Sequence, residues 1–209
     1  MKELQEHYRK INKEIKNRLK DFEGSYKKDD KHVFSELCFC LLTPQAEAVE
    51  CDKAIKNLKE TGLLFSGQPK EMSPYLKAAR FLNKKAEYIA GARQLFKKNG
   101  CFCIKDRIDG KDIFRTREWL VENVKGIGYK EASHFLRNIG FGKDLAILDV
   151  HILKNLKRYG VISKIPKHLT KKEYLKIENK LRAFCKNIKI PMDELDLLFW
   201  SKETGFVFK

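Results

Sequence analysis

No apolar stretch in the 209 residues approaches the roughly 18 that a membrane span needs. The opening run, "MKELQEHYRKINKEIKNRLKDF", is charged throughout and lacks the apolar centre of a secretory signal. These absences lead us to expect a cytoplasmic protein with no membrane partner. Repeats, low-complexity runs and extended Pro/Gly-rich linkers are missing too. Strand signals are weak, and Val207–Lys209 is too short to count. The six cysteines fall at 38, 40, 51, 101, 103 and 185. Their two C-x-C pairs are tighter than the usual metal knuckle, which places two or more residues between its ligands. Cys185 stands alone in the C-terminal region, so a four-cysteine iron–sulfur cluster is excluded there. The cysteines read as free thiols used as small buried hydrophobes, and no metal site is expected.

What the chain has in plenty is positive charge on a helical period. Lys and Arg number 44 against 28 Asp and Glu, a net charge of +16, while 43% of residues are hydrophobic. The lysines are spread through segments with apolar periodicity, which describes a folded basic protein rather than a basic tail. A polyanionic partner follows, nucleic acid before an anionic membrane surface.

Helical spacing dominates. Residues 2–22 place Leu4, Tyr8, Ile11, Ile15 and Leu19 three or four apart. Residues 32–42 are apolar nearly all round, the mark of a central helix. Residues 45–61 put Val49, Cys51, Ala54, Ile55 and Leu58 largely on one face. A helical stretch over 73–96 begins with Ser73 and Pro74 and breaks near residues 81–83. "TREWLVEN" leads into a glycine turn, and 128–139 is the helix after it. Asp149 caps a helix that ends at Gly160. Thr170 and Glu173 have the capping-box spacing, and a last helix closes at Gly205. The fold class is all-α.

Between two of these helices lies "KGIGYK". Glycine allows positive φ and close approach of another chain. The amides at the start of the next helix suit an anion, and in a protein of +16 that anion is a nucleic-acid phosphate. Such contacts set register and carry no sequence information. The plainer reading is a bare helix–turn–helix connection, because G-x-G alone says little. Lys130 sits beside this turn. A lysine is a poor nucleophile while protonated, so a working one needs surroundings that free its amine. Asp149 follows an apolar run that should hold it inside. An amine and one carboxylate near a phosphate grip suggest attack at a positively charged sugar carbon. Otherwise Lys130 is a solvated helix lysine and Asp149 a simple cap.

"VKGIGYKEASHFLRNIG" followed by "LAILDVHIL" resembles the helix-hairpin-helix–GPD superfamily of DNA glycosylases. Its pattern is a G-h-G hairpin, a lysine two residues on and an aspartate further along; here Asp149 comes 19 positions after Lys130. Within that superfamily the chain looks most like the type-2 8-oxoguanine DNA glycosylase/AP lyases, through "ELCFCLLT", "RFLNKKAEYI", "KGIGYKEASHFLRN", "ILDVHIL", "YLKIENKLR" and "ELDLLFW…TGFVFK".

The resemblance implies two helical domains, 31–144 with the helix-hairpin-helix and 1–30 plus 145–209, with a DNA-binding cleft. It implies that Gly126 and Gly128 hold backbone phosphate, through a cation on the hairpin carbonyls in some members. Lys130 takes the place of the Schiff-base lysine and Asp149 that of the aspartate that supports its attack. Phe81 and Trp200 match aromatics that sandwich an extruded purine, whose lost stacking needs replacing. Lys209 matches a terminal lysine whose carboxylate reaches the base. His134, at i+4 from Lys130, would tune it or touch DNA. Two departures stand out. "LLTPQAEAVECDKAI" looks more like the L-S-x-Q element of endonuclease-III-type relatives, which makes Gln45 a candidate wedge, or else a polar residue at a helix start. Val150 stands where a basic residue is common.

The expected function is excision of 8-oxoguanine from duplex DNA by base flipping, a lysine Schiff base and β-elimination. The expected enzyme is a monomer that uses no redox cofactor and no catalytic metal. The alternatives are an oxidised-pyrimidine glycosylase or AP lyase of the same superfamily, and a non-catalytic helix-hairpin-helix DNA-binding protein.

Overall fold

The computed structural model describes residues 1–77 and 79–209. The chain is helical almost throughout and divides into two compact units: Ser25–Phe135, and Met1–Gly24 with Leu136–Lys209. Among the described residues no helix is long and apolar enough to cross a membrane.

The Ser25–Phe135 unit is built around α2 (Asp30–Leu42). Asp29 opens that helix by accepting the His32 amide proton at 2.9 Å, and every residue from Val33 to Leu42 is buried. Around it lie α3 (Ala48–Glu60), the single turns α4 (Leu63–Ser66) and α5 (Pro69–Met72), α6 (Leu82–Phe96) and α7 (Ile113–Asn123). α3 turns Cys51, Ala54, Ile55 and Leu58 inward at the spacing of one helical face. Arg93 of α6 is buried and donates to the Leu63, Leu64 and Gly67 carbonyls, so it replaces the missing partners where α4 ends.

The 73–96 stretch breaks where expected, just before Leu82. A 3₁₀ turn, Ser73–Leu76, comes first, and α6 starts only at Leu82, after Phe81 at φ +60°; Ala78, inside this stretch, lies outside the described residues. A short hairpin went unpredicted: β1 (Lys97–Lys98) pairs antiparallel with β2 (Cys101–Phe102). Asn99 and Gly100 turn it at φ +50° and +82°, and Asn-Gly is the dipeptide such a turn favours. Its Cys101 is exposed and Cys103 half-buried, unlike the four remaining cysteines, which are buried as expected.

α8 (Tyr129–Asn138) carries the division between the units, at Phe135/Leu136. In the other unit, α9 (Val150–Arg158), α10 (Lys171–Ile188) and α11 (Met192–Thr204) join the N-terminal helix, α1 (Lys2–Lys27), which buries Leu4, Ile15 and Phe22. Gly140, at φ +88°, ends α8; a Cβ there would stand 2.8 Å from the Glu23 Cα, so only glycine lets the two backbones meet. Arg137 is buried beside it, its guanidinium 4.7 Å from the Phe22 ring centre and 3.6 Å from an Asp196 oxygen.

Candidate active site

In the Ser25–Phe135 unit the glycine turn links α7 to α8. Gly126 has φ +92°, and a Cβ on it would lie 2.3 Å from the Tyr88 ring, so the α6 tyrosine packs directly against the turn. Gly128 donates its amide proton to Glu131 Oε2 at 3.2 Å, which caps α8 from within. The other oxygen of the same carboxylate, Oε1, lies 3.1 Å from Lys130 Nζ. Part of the anion-binding capacity expected of the hairpin is thus used by the chain's own glutamate. Lys130 is half-buried, with 22% of its side chain exposed, not a fully solvated lysine. Its amine also reaches Thr43 Oγ1 at 3.5 Å. Thr43 donates its own hydroxyl proton to the Cys40 carbonyl at 3.0 Å, which leaves an oxygen lone pair facing Lys130. His134 is only 7% exposed and packs edge-on against Phe39, 5.5 Å between ring centres. It therefore lies on the inward face of α8.

Gln45 precedes α3 rather than starting it, and is exposed at φ +54°. Phe81 is 60% exposed at φ +60°. Both are left-handed without being glycine, a conformation that costs on the order of 1 kcal/mol or more and gathers at functional sites. Arg80 joins them: its guanidinium donates to Gln45 Oε1 at 2.8 Å and lies 5.1 Å from the Phe81 ring centre. Phe81 is therefore no core residue. Its exposed ring and the wedge candidate share one cation.

The other unit holds Asp149, Trp200 and Lys209. Buried Leu145–Leu148 leads into Asp149, tied down by the Ala146 amide on Glu178 at 2.8 Å and by the Tyr174 hydroxyl on the Ala146 carbonyl at 2.5 Å. Asp149 accepts the Ile152 amide proton at 2.7 Å and so caps α9; this bond uses one carboxylate oxygen, Oδ1. Val150 is exposed. His151 holds a buried ring nitrogen, Nδ1, with no hydrogen-bond partner among the described residues. Sequence reading passed over it; its position two residues past Asp149 was the available signal. Trp200 is half-buried, 5.2 Å from the Phe206 ring centre and stacked on Phe208 at 6.1 Å. Lys209 follows Phe208 and is half-buried.

A family model described as 8-oxoguanine DNA glycosylase matches residues 15–190. An 8-oxoguanine DNA glycosylase/AP lyase of Fusobacterium nucleatum is 45% identical over 209 residues, covering 99% of this chain and 96% of that protein. A Methanocaldococcus jannaschii protein of the same name is 43% identical over 206 residues, covering 95% of each. The crystal structure of the M. jannaschii 8-oxoguanine glycosylase/lyase with a 15mer DNA containing 8-oxoguanine superposes with a TM-score of 0.89 at 38% identity, covering 100% of this chain and 98% of that one. The 8-oxoguanine DNA glycosylase of Thermotoga maritima gives the same TM-score at 36% identity, covering 100% and 97%. Full-length relatives and a hairpin followed by a half-buried lysine lead to one conclusion: the chain belongs to the 8-oxoguanine DNA glycosylase family.

Proposed function

We infer that this protein is a bifunctional 8-oxoguanine DNA glycosylase/AP lyase. The observation that carries the reading is the Lys130 amine, half-buried on Thr43 and Glu131 at the glycine turn, in a chain whose full-length relatives bear that name. The basic surface and the 126–128 turn grip the DNA backbone. The damaged nucleotide leaves the stack, at a cost of a few kcal/mol that Phe81 and Trp200 offset by offering ring faces, while Gln45 fills the gap. Lys130 attacks C1′, the glycosidic bond breaks, and the base departs with the bonding electron pair. Asp149 opposes the positive charge that develops on the sugar. The amine then loses a proton, its lone pair expels O4′ from C1′ to leave a protonated imine as O4′ takes up a proton, and loss of a C2′ proton breaks the C3′–oxygen bond, which releases the 3′ phosphate and nicks the strand. Lys209 is the remaining candidate for contact with the extruded base, whose N7–H distinguishes 8-oxoguanine from guanine. The enzyme acts as a monomer, a reading checked by the mass of its complex with one duplex.

Borohydride trapping tests the assignment. An end-labelled duplex with one 8-oxoguanine should give a covalent band that needs both the lesion and Lys130. Lys130→Gln should bind the duplex and release no base. Trapping only on an oxidised-pyrimidine duplex would keep the amine and move the substrate. No band on any damaged duplex would leave the hairpin as a grip without chemistry.

A further inference from the structure

Lys85, on α6, is 4% exposed, and among the described residues no carboxylate pairs with it. Its ammonium donates to the Leu42 carbonyl at 2.5 Å and to the Pro44 carbonyl at 2.7 Å. Burial lowers its pKa, and the charge of Lys130 lowers it further, while Cys51 and Glu131 act the other way. Taking an ammonium out of water is costly, and carbonyls at a helix end are ordinarily met by backbone amides or solvent. The two carbonyls are the ones on either side of Thr43. That residue's hydroxyl gives its proton to Cys40 and meets Lys130 Nζ. The same turn is closed by the Ala46 amide on the Thr43 carbonyl at 3.2 Å and leads into left-handed Gln45.

We propose that Lys85 is a positioning residue for Lys130: by gripping the carbonyls on both sides of Thr43, it fixes the hydroxyl against which the reactive amine rests. The proposal rests on Lys130 being the nucleophile. Lys85 touches neither substrate nor the reacting atoms; it acts through the 42–46 turn. Lys85→Arg keeps a charged donor able to span two carbonyls, whereas Lys85→Met keeps the bulk and removes both bonds.

The test has two readouts on the full chain. In Lys85→Met, amide hydrogen exchange at Ala46 should speed up at least tenfold while the α10 and α11 amides keep their protection. Single-turnover trapping on an abasic duplex should slow by 10- to 100-fold, with affinity for a reduced abasic duplex within threefold of the parent. Lys85→Arg should restore most of both. Thr43→Val, which leaves the Lys85 bonds in place, should slow trapping about five- to tenfold and serves if Lys85→Met fails to fold. Unchanged Ala46 exchange in Lys85→Met, or parental trapping in it or in Thr43→Val, overturns the proposal, as does a trapping loss that follows DNA affinity alone. A parent protein that never traps would instead remove the nucleophile assignment, and Ala46 exchange would still report whether Lys85 holds the turn.

Discussion

Lys130 and Glu131 are consecutive residues whose charged ends meet at 3.1 Å, and Glu131 at the same time takes the Gly128 amide proton. One carboxylate thus joins the hairpin to the amine beside it. An ammonium held in an ion pair is no nucleophile, so this pair must open before attack. Glu131→Gln keeps an oxygen for Gly128 and drops the charge. We expect it to raise the single-turnover trapping rate, by up to about fivefold, the equivalent of a pair contributing at most about 1 kcal/mol. A slower rate with intact folding would show that the pair positions the amine instead of restraining it.

Asp149 has two separable duties. Asparagine can still cap α9 by accepting the Ile152 proton, but it carries no charge. Asp149→Asn should unfold in urea within about 0.5 kcal/mol of the parent, yet lose base release by about 100-fold or more, the scale of one electrostatic contact made in the transition state. Asp149→Ala should add a stability loss of about 1 kcal/mol for the missing cap. Base release preserved in the asparagine variant would reduce Asp149 to a cap.

Gly126 meets two conditions that alanine cannot, φ +92° and a Tyr88 ring where the Cβ would stand. Gly126→Ala should cost about 1–3 kcal/mol and weaken duplex binding. Pairing it with Tyr88→Ala should recover part of the stability, because the ring clash is gone while the φ penalty stays. Calorimetry on the two variants reads the difference.

His7 lies 3.3 Å from the Ser201 hydroxyl and has a pKa lowered by burial, then by Lys202 and Lys10, against a smaller pull from Glu3. A histidine whose folded pKa lies below its unfolded one stabilises the fold fully above the unfolded value and loses that contribution as pH falls through it. The urea midpoint should therefore drop between pH 7.5 and 5, and His7→Gln should flatten that drop. Identical slopes in both proteins would assign the acid sensitivity elsewhere.

Helices with caps written into them were legible in the sequence. Thr170 accepts the Glu173 amide proton as its spacing said, Asp149 caps α9, and Gly205 follows α11 at φ +91°. The family was legible from the resemblance that the hairpin block and the aspartate after it carry. What escaped was long-range. Lys85 had a signal, a lysine on the face shared by Ala86 and Ile89, but which carbonyls it would meet depends on α2, 41 to 43 residues away. Glu131 as a double partner and Arg80 as the link from Gln45 to Phe81 needed the turns themselves. The Asn99–Gly100 hairpin was missed because two-residue strands hold too few side chains to show alternation.

The unit made of Met1–Gly24 and Leu136–Lys209 has a consequence for how the protein is made. A ribosome delivers one part of this unit before residues 25–135 and the other part after them. Residues 25–135 emerge as an uninterrupted stretch and are free to fold as a body during synthesis. Leu4, Ile15 and Phe22 have no such chance, because the backbone that meets Glu23 at Gly140, and the three helices after it, come off the ribosome only later. Until then the leading helix is a nascent segment with an apolar stripe and no place to put it, shielded by its own lysines.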